Sequence, residues 1–291
     1  MKNKVVVFGE MLWDCLPSGS VPGGAPMNVA LNLHQLGLDS KLISAIGDDS
    51  DGKKLIEFLS SFDFQTKLIQ VVGNHDTSKV LVDDSDPENM KYEIVSPVAW
   101  DFIQWNKEIE EEVSNSDAFV FGTLGVRNPE SLSTLIKLIH KKTLRIFDAN
   151  LRSPFYDFEV IETLLGFTDI LKINEDELEV FADYFDLKPT IQAVCEHLDH
   201  HFPMDLICIT KGSKGALIYK EGEITENPGY KVKVTDSIGA GDAFLSGFIK
   251  CYLEKKSIEE TLDFACKLGA FVASKKGGTP KYVLAEIEAI Q

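Results

Sequence analysis

The stretch Asp236–Asp242, which reads Asp-Ser-Ile-Gly-Ala-Gly-Asp, constrains the fold more than any other part of this sequence. It passes two glycines and enters a segment in which apolar or small residues recur at helical spacing. A glycine turn at a helix start exposes backbone N–H groups that have no partner in the helix, and the helix dipole favours negative charge there. The stretch therefore predicts a site for an anion or for developing negative charge. Asp242 can cap this helix or act as a general base beside the anion, and the stretch alone leaves both roles open.

Charge and composition narrow the partners that such a site can have. The 291 residues carry a net charge of −17, from 29 basic and 46 acidic side chains, so we expect neither nucleic acid nor an anionic membrane as a partner. The same field opposes a polyanion such as ATP, which local backbone donors and a metal ion would have to bind. The sequence has no signal-like segment, no apolar run of about 18 residues and no C-x-x-C pair. These features predict a soluble cytoplasmic protein with free thiols.

Strand-like and helix-like patterns alternate between about residues 105 and 210. Such alternation predicts an α/β fold with a mainly parallel sheet that helices cover on both faces. Short apolar runs at residues 4–9 and 40–47 predict two further buried strands. In the alternating region the predicted strands are 118–121, 144–147, 170–173 and 206–210, and the predicted helices are 105–114, 129–141, 158–165, 175–184 and 190–202.

Residues 67–96 depart from this pattern. They hold three short alternating pieces and a polar turn, with no helical pattern between them, and so predict a small antiparallel sheet inserted in the α/β chain. A further alternating segment, 231–235, predicts a strand directly before the glycine turn. The three pieces are 68–72, 78–82 and 92–95, and the polar turn spans 83–89.

Polar residues follow three of the predicted parallel strands, at the edge where such sheets bind ligands. A second glycine turn ends at Gly24 and leads into a helix whose first turn holds Asn28. Asp14 alternates with large apolar residues, where an unpaired carboxylate is costly. It is either an edge-strand charge that discourages aggregation or an acceptor for substrate hydroxyls. The strand-end residues are Asp148, Asn150 and Arg152; Asn174 and Glu177; and Thr210, Lys211 and Gly212.

Six motifs in this order resemble the ribokinase-like (PfkB-type) family of carbohydrate kinases, and within it the fructokinase branch. The resemblance covers nearly the whole chain. It implies one ribokinase-like domain over residues 1–291, with a sheet of about nine strands and a small β lid from about residues 11–21 and 67–98. The motifs are Gly9-Glu10 with Asp14, Gly23–Ala30, Asp148–Arg152, Asn174–Glu177, Thr210–Gly215 and Asp236–Asp242.

The resemblance also implies the catalytic and sugar-binding residues. Asp242 matches the base that takes a proton from the attacking hydroxyl. The N–H groups of Gly239, Ala240 and Gly241 match the anion hole for the transferred γ-phosphoryl group, as the glycine turn alone suggests. Asp14, Gly24 and Asn28 match the sugar contacts, and Arg152 lies where a basic residue can approach phosphate or sugar.

The implied cofactors are ATP and Mg²⁺, with K⁺ as a further candidate. Glu177, together with Asn174, matches the motif that positions Mg²⁺ through water, which suits the preference of this ion for few carboxylates and several waters. ATP binding is implied for Asn174, Thr210, Lys211, Gly212, Gly215, Gly241, Cys266 and Gly269. A monovalent cation is implied for Asp236, Ile238, Ala273 and Gly278.

The substrate is less constrained than the reaction. The lid segments hold no arginine, which favours a small neutral sugar over a phosphosugar. Fructose follows by resemblance only, and ribose, 2-keto-3-deoxygluconate and a nucleoside stay open. A non-catalytic sugar-binding regulator is a further alternative, and a dimer through the lid strands is expected. A dinucleotide-dependent oxidoreductase is disfavoured because Phe244 stands where the third glycine of its motif belongs.

One departure from the family pattern lies in the glycine turn itself. The usual motif has two threonines where Ser237 and Ile238 stand, so one hydroxyl is lost at Ile238. A cation at this place would be bound by the backbone, and the change therefore bears on K⁺ activation more than on catalysis.

Overall fold

The computed structural model describes residues 2–16, 19–83, 91–139 and 142–291. Its strands are β1 (Lys4–Phe8), β2 (Leu12–Leu16), β3 (Gly19–Gly23), β4 (Asp39–Gly47), β5 (Ile69–Val72), β6 (Lys79–Asp83), β7 (Lys91–Ile94), β8 (Ala118–Gly122), β9 (Leu144–Asp148), β10 (Ile170–Asn174), β11 (Leu206–Thr210), β12 (Ala216–Lys220) and β13 (Glu223–Asn227). Its α-helices are α1 (Ala25–Gln35), α2 (Ser50–Ser60), α3 (Lys107–Ser114), α4 (Pro129–Leu138), α5 (Phe158–Leu165), α6 (Glu175–Tyr184), α7 (Ile191–His201), α8 (Ala240–Leu253), α9 (Ile258–Ala273) and α10 (Leu284–Glu288).

Within these ranges the main sheet has nine strands, in the order β13-β12-β11-β10-β9-β8-β1-β4-β5. Neighbouring strands from β11 to β5 along this order are parallel, and β12 and β13 add an antiparallel hairpin at one edge. Strands such as β1 and β8 are buried along almost their whole length because helices cover both faces. The α/β fold with a mainly parallel sheet, predicted from the sequence, is confirmed.

Two apolar clusters fill the space between the sheet and its helices. One contains Met27 of α1 with Phe244 and Leu268 of α8 and α9, and the other contains Phe147 and Phe181 on the opposite face. Helices α8 and α9 approach closely at Gly247, where a methyl group would lie 3.0 Å from the Cα of Ala265. This packing holds the start of α8 in a fixed place over the sheet. Across the described ranges, no helix is both long and apolar enough to cross a membrane.

A second, smaller sheet has four described strands in the order β3-β2-β6-β7. β2 is antiparallel to β3 but parallel to β6, so the prediction of a purely antiparallel sheet is wrong. The strand predicted at 68–72 corresponds to β5, and it pairs with β4 in the main sheet, although the sequence placed it with the small sheet. Alternation indicates a strand but does not identify its partner. The polar turn predicted at 83–89 lies, from residue 84 onward, outside the described residues.

The strand predicted at 231–235 is also wrong. Residues 231–234 have no regular secondary structure and connect β13 to the turn before α8. Their alternation resembles a strand, but Val234 is 60% exposed instead of buried on a sheet face. The segment lines a cavity instead, which gives it a place in the site described next.

Candidate active site

The glycine turn is held in place from two sides. Gly239 precedes α8 with a left-handed φ of 73°, and a Cβ there would lie 2.4 Å from the Cα of Gly278, so only glycine fits. Asp236 fixes the same turn, because its Oδ1 accepts the N–H of Ile238 at 3.0 Å and its Oδ2 accepts the N–H of Gly277 at 3.1 Å. The sequence thus brings two distant glycine segments into backbone contact.

This turn presents backbone donors at the start of α8. In the described part of the chain, the N–H groups of Gly239 and Gly241 have no protein acceptor, whereas that of Ala240 donates to Ser237 O at a long 3.3 Å. Free donors at a helix N-terminus suit an anion. Two of the three donors that the sequence predicts are therefore available, and the third is only weakly engaged.

Asp242 does not use its carboxylate to cap α8. Its hydrogen bond within the described residues comes from Asn28, whose Nδ2 lies 2.8 Å from Oδ2 of Asp242. Burial and the charge of Asp148 together raise the pKa of Asp242 to about 6, against the opposing effects of Lys172, the Asn28 hydrogen bond and Arg152. A carboxylate with a pKa near 6 is ionised at neutral pH and is a better base than an ordinary aspartate. The Asp242 carboxylate is thus bound by Asn28 and makes no capping hydrogen bond, an arrangement that is compatible with a general base.

The second glycine turn brings Asn28 to this place. Gly24 has a φ of 106° at the start of α1, and a Cβ there would lie 2.7 Å from the carbonyl oxygen of Glu10. Asn28 itself is buried, and its Oδ1 has no hydrogen-bond partner in the described residues. A buried acceptor without a donor is costly, so this oxygen is available to a ligand hydroxyl.

Three further charged groups surround this point. Asp14 on β2 is half-buried, and burial raises its pKa to about 6 despite the opposing charge of Arg152. Glu10 is buried, and burial raises its pKa to about 7, with Arg152 again opposing and Asp242 and Asp148 adding to the rise. Arg152 is exposed and acts on all of these carboxylates. The structure thus gathers the predicted residues Asp14, Arg152 and Asp242 around one point.

A buried ion pair below the turn was missed by the sequence reasoning. Lys172 Nζ donates to Oδ1 of Asp148 at 2.8 Å, and both side chains are buried. The two residues face each other across β9 and β10. The available signal was a lysine inside an apolar strand, Ile170-Leu171-Lys172-Ile173, which requires a carboxylate partner nearby.

A cavity of about 540 Å³ opens beside the glycine turn. Six of the eight residues predicted to bind ATP line it, namely Thr210, Gly212, Gly215, Gly241, Cys266 and Gly269. The segment 229–234 lines it as well, including Tyr230, which hydrogen-bonds to Asp263 and which the sequence did not single out. Lys211 is instead paired with Glu226 at 3.3 Å, and Asn174 caps α6. Most of the predicted nucleotide site is therefore one continuous surface.

Asn174 and Glu177 form a reciprocal capping box at the start of α6. Each side chain accepts the backbone N–H of the other residue at 2.8 Å, and the second oxygen of Glu177 accepts the N–H of Leu151 at 2.8 Å. Burial raises the pKa of Glu177, and Lys172 opposes the rise. Each carboxylate oxygen keeps one lone pair, so the group fits a hydrated Mg²⁺ held through water better than a directly bound one.

The four residues predicted for a monovalent cation lie around the same turn. Asp236 is engaged as described above, and Gly278 O accepts Nδ2 of Asn32 at 3.2 Å. Ala273 O accepts the N–H groups of Thr235 at 2.9 Å and Asp236 at 3.2 Å. Because both lone pairs of Ala273 O are used, this carbonyl does not fit a cation in the present arrangement.

The site combines three features: a carboxylate with a pKa near 6, free donors at a helix N-terminus, and a cavity at the carboxyl edge of a parallel sheet. This combination suits the transfer of a phosphoryl group to an alcohol. The fold is that of the ribokinase-like kinases. Residues 3–283 match the family model described as pfkB family carbohydrate kinase, and the chain belongs to this family of ATP-dependent sugar kinases.

Relatives of known name agree with this assignment. A fructokinase of Klebsiella pneumoniae is 28% identical, covering 86% of this chain and 84% of its own. An ATP-dependent 6-phosphofructokinase of Thermoanaerobacterium thermosaccharolyticum is 29% identical, covering 89% and 85%. The crystal structure of an ATP-bound fructokinase from Xylella fastidiosa is similar in fold, with a TM-score of 0.86 and 21% identity over 99% of this chain and 98% of that one.

Proposed function

We propose that this kinase transfers the γ-phosphoryl group of ATP to a hydroxyl of fructose. The observation that carries the proposal is the contact between Asn28 and Asp242 beside the unpaired N–H groups of the glycine turn. This contact joins the amide of Asn28 on α1 to the carboxylate of Asp242 on α8, which supports a ligand-binding amide and a base beside the anion site. The fructokinase from Klebsiella pneumoniae supports the choice of sugar.

In this mechanism the sugar lies between the small sheet and Asp242, with the small sheet acting as a lid. Asp242 takes the hydroxyl proton while the sugar oxygen bonds to the γ-phosphorus. The bond from that phosphorus to the bridging oxygen breaks, and ADP leaves with the electron pair. The N–H groups of Gly239 and Gly241 stabilise the charge on the transferred group. Bound Mg²⁺, held through water by Glu177, would neutralise phosphate charge.

The proposed sugar is neutral. Lys79, a cation of the small sheet, is already paired with Asp51 at 2.7 Å. Arg152 is surrounded by the carboxylates of Glu10, Asp14 and Asp242, which offset its charge. A sugar phosphate would therefore meet net negative charge. The 6-phosphofructokinase relative keeps the phosphosugar as the competing substrate to test.

An ATP-coupled assay across fructose, fructose 6-phosphate, ribose, 2-keto-3-deoxygluconate and adenosine tests the proposal. We expect the highest kcat/KM with fructose. A higher value with another acceptor would reassign the sugar and leave the kinase mechanism intact. No transfer to any acceptor, with ATP still bound, would favour a non-catalytic sugar-binding regulator.

The remaining expectations are also proposals. Because Ala273 O already accepts two N–H groups, we do not infer activation by K⁺, and a rate clearly higher in KCl than in NaCl would contradict this. We further propose a cytoplasmic homodimer that pairs through the small sheet, where Leu81 is 41% exposed. Its mass by light scattering should be twice 32.3 kDa, and Leu81→Glu should lower it to that of the monomer.

A further inference from the structure

Lys172 lies directly beneath the glycine turn. Its Nζ is 3.6 Å from the point where a Cβ on Gly241 would stand, so the ammonium group faces the first turn of α8. The side chain is buried, with 5% exposure, and belongs to the middle residue of β10. A buried cation at this place adds its charge to that of the helix N-terminus.

The ammonium group is held by carboxylates on three elements. Asp148 on β9 accepts a hydrogen bond from it at 2.8 Å. Glu177 on α6 and Asp242 on α8 act on it through their charges. Burial lowers the pKa of Lys172, but these three carboxylates outweigh burial and raise it above its ordinary value. The raised pKa keeps the group protonated at neutral pH.

Asp148 has a second, unused oxygen. Its Oδ1 accepts from Lys172, but its Oδ2 is buried without a partner in the described residues. A buried salt bridge with a free oxygen is not optimised for stability alone, because the unmet acceptor costs free energy. This unmet cost motivates a role for the pair beyond the stability of the two strands.

We propose that Lys172 is a positioning residue for phosphoryl transfer. It adds positive charge beneath the glycine turn and keeps Asp242 ionised, and Asp148 is its counter-charge. The proposal rests on the function proposed above. It concerns a residue that makes no contact with the sugar hydroxyl itself. Its effect reaches the reaction through the field on Asp242 and on the turn.

The charged groups that face Asp242 determine whether each substitution raises or lowers its pKa. Lys172 on β10 and Arg152 after β9 favour the ionised form, whereas Asp148 on β9 disfavours it; Asn28 on α1 donates a hydrogen bond, and Glu10 after β1 couples to it. Removing the charge of Lys172 should raise the pKa of Asp242. Removing the charge of Asp148 should lower it, and the freed Lys172 acts in the same direction.

The test compares Lys172→Met and Asp148→Asn, which keep the size of each side chain and remove its charge. The acidic limb of kcat/KM against pH should move up by about one unit in Lys172→Met and down in Asp148→Asn. At neutral pH, kcat of Lys172→Met should fall by about 10- to 100-fold and partly recover at higher pH. The matched control is Lys41→Met on β4, which removes the 2.7 Å ion pair of Lys41 with Glu112. It should leave the acidic limb at its wild-type pH.

A purely structural role predicts a different result. If the pair only holds two strands together, both variants lose activity. The acidic limb of kcat/KM then stays at its wild-type pH in both variants, or moves in the same direction in both. That outcome would overturn the proposal. If Lys172→Met fails to fold by circular dichroism, the direction of the shift in Asp148→Asn decides the matter. Failure of the proposed function is recognised separately, because the wild type would then phosphorylate no sugar.

Discussion

At the scale of single residues, Asp242 carries the largest expected effect on the reaction. Asp242→Asn keeps the shape and the Asn28 contact but cannot take a proton, so kcat should fall by about 10²- to 10⁴-fold. KM should change little, and so should the affinity for ATP measured by calorimetry. Unchanged transfer in this variant would mean that the base lies elsewhere.

The pH dependence of the wild type follows from the same carboxylate. Burial raises the pKa of Asp242 to about 6, and the ionised form is the active base. We therefore expect kcat/KM to fall tenfold per unit as the pH drops below about 6 and to level off above it. A plateau that continues to pH 5 would contradict this role. The Asp242→Asn residual rate, which lacks the titrating base, should show no such limb.

Gly239 tests the close backbone contact. Gly239→Ala combines a left-handed backbone with a clash against Gly278, so the free energy of unfolding should fall by about 1–3 kcal/mol, and transfer should be lost. Gly37→Ala is the matched control, because Gly37 also has a positive φ of 89° but has open space around it. It should cost about 1 kcal/mol in urea unfolding and leave activity unchanged. Equal activity in the two variants would contradict the role of the turn.

At the scale of elements, two capping boxes separate stability from function. Asn174 and Glu177 cap α6 in the site, and Ser257 and Glu260 cap α9 away from it. Asn174→Ala and Ser257→Ala should each lower the free energy of unfolding by about 1 kcal/mol. Only Asn174→Ala should also raise the KM for MgATP, because it removes the side-chain amide that the proposed mechanism uses with Glu177 to position Mg²⁺. An equal KM in both variants would confine Asn174 to capping.

The sequence predicts the main sheet well because its strands are continuous apolar runs between amphipathic helices. It fails where pairing depends on partners far along the chain. Nothing in the alternation at 68–72 distinguishes the edge of β4 from the small sheet. The alternation at 231–235 is equally strand-like, but the chain there runs from β13 to the turn before α8 along the cavity and pairs with none of the described strands.

The site shows the same limit. Motif spacing identifies the glycine turn, Asn28 and Asp242, since each belongs to a local stretch with a recognisable pattern. The pair of Lys172 with Asp148 depends on the register between β9 and β10, which no local pattern reveals. Segment 229–234 was missed for a related reason: its role in the nucleotide cavity follows from its path and not from its composition.

At the scale of the whole molecule, the fold concentrates carboxylates at one edge of the sheet. Glu10, Asp148 and Asp242 come from separate parts of the chain yet act on one another's charge, and Asp14 is coupled to Arg152 and Asp236. Lys172 and Arg152 are the cations that offset them there. In a chain with a net charge of −17, this local balance decides which anions can enter. Keeping these carboxylates ionised in the folded free enzyme therefore costs free energy, and this cost depends on pH.

Glu10 makes that cost measurable. Burial raises its pKa from 4.5 to about 7, so the folded state favours the neutral acid, and folding takes up a proton between these values. The free energy of unfolding should consequently fall by about 2 kcal/mol as the pH rises from about 5.5 to 8. Asp14 and Asp242, with pKa values near 6, act in the same direction, and His197, whose pKa burial lowers, opposes them.

Urea unfolding of the free enzyme at these two pH values isolates the contribution of Glu10. Glu10→Gln stays neutral throughout, so its stability should fall less than that of the wild type over this window. Glu112→Gln is the control: bonds from Lys41 and Lys4 outweigh burial and lower the pKa of Glu112, so its contribution to stability is present at both pH values and is lost only below about pH 4.5. The control should lose stability by the same amount at both pH values. Equal pH slopes in the wild type and Glu10→Gln would show that Glu10 is ionised in the folded enzyme.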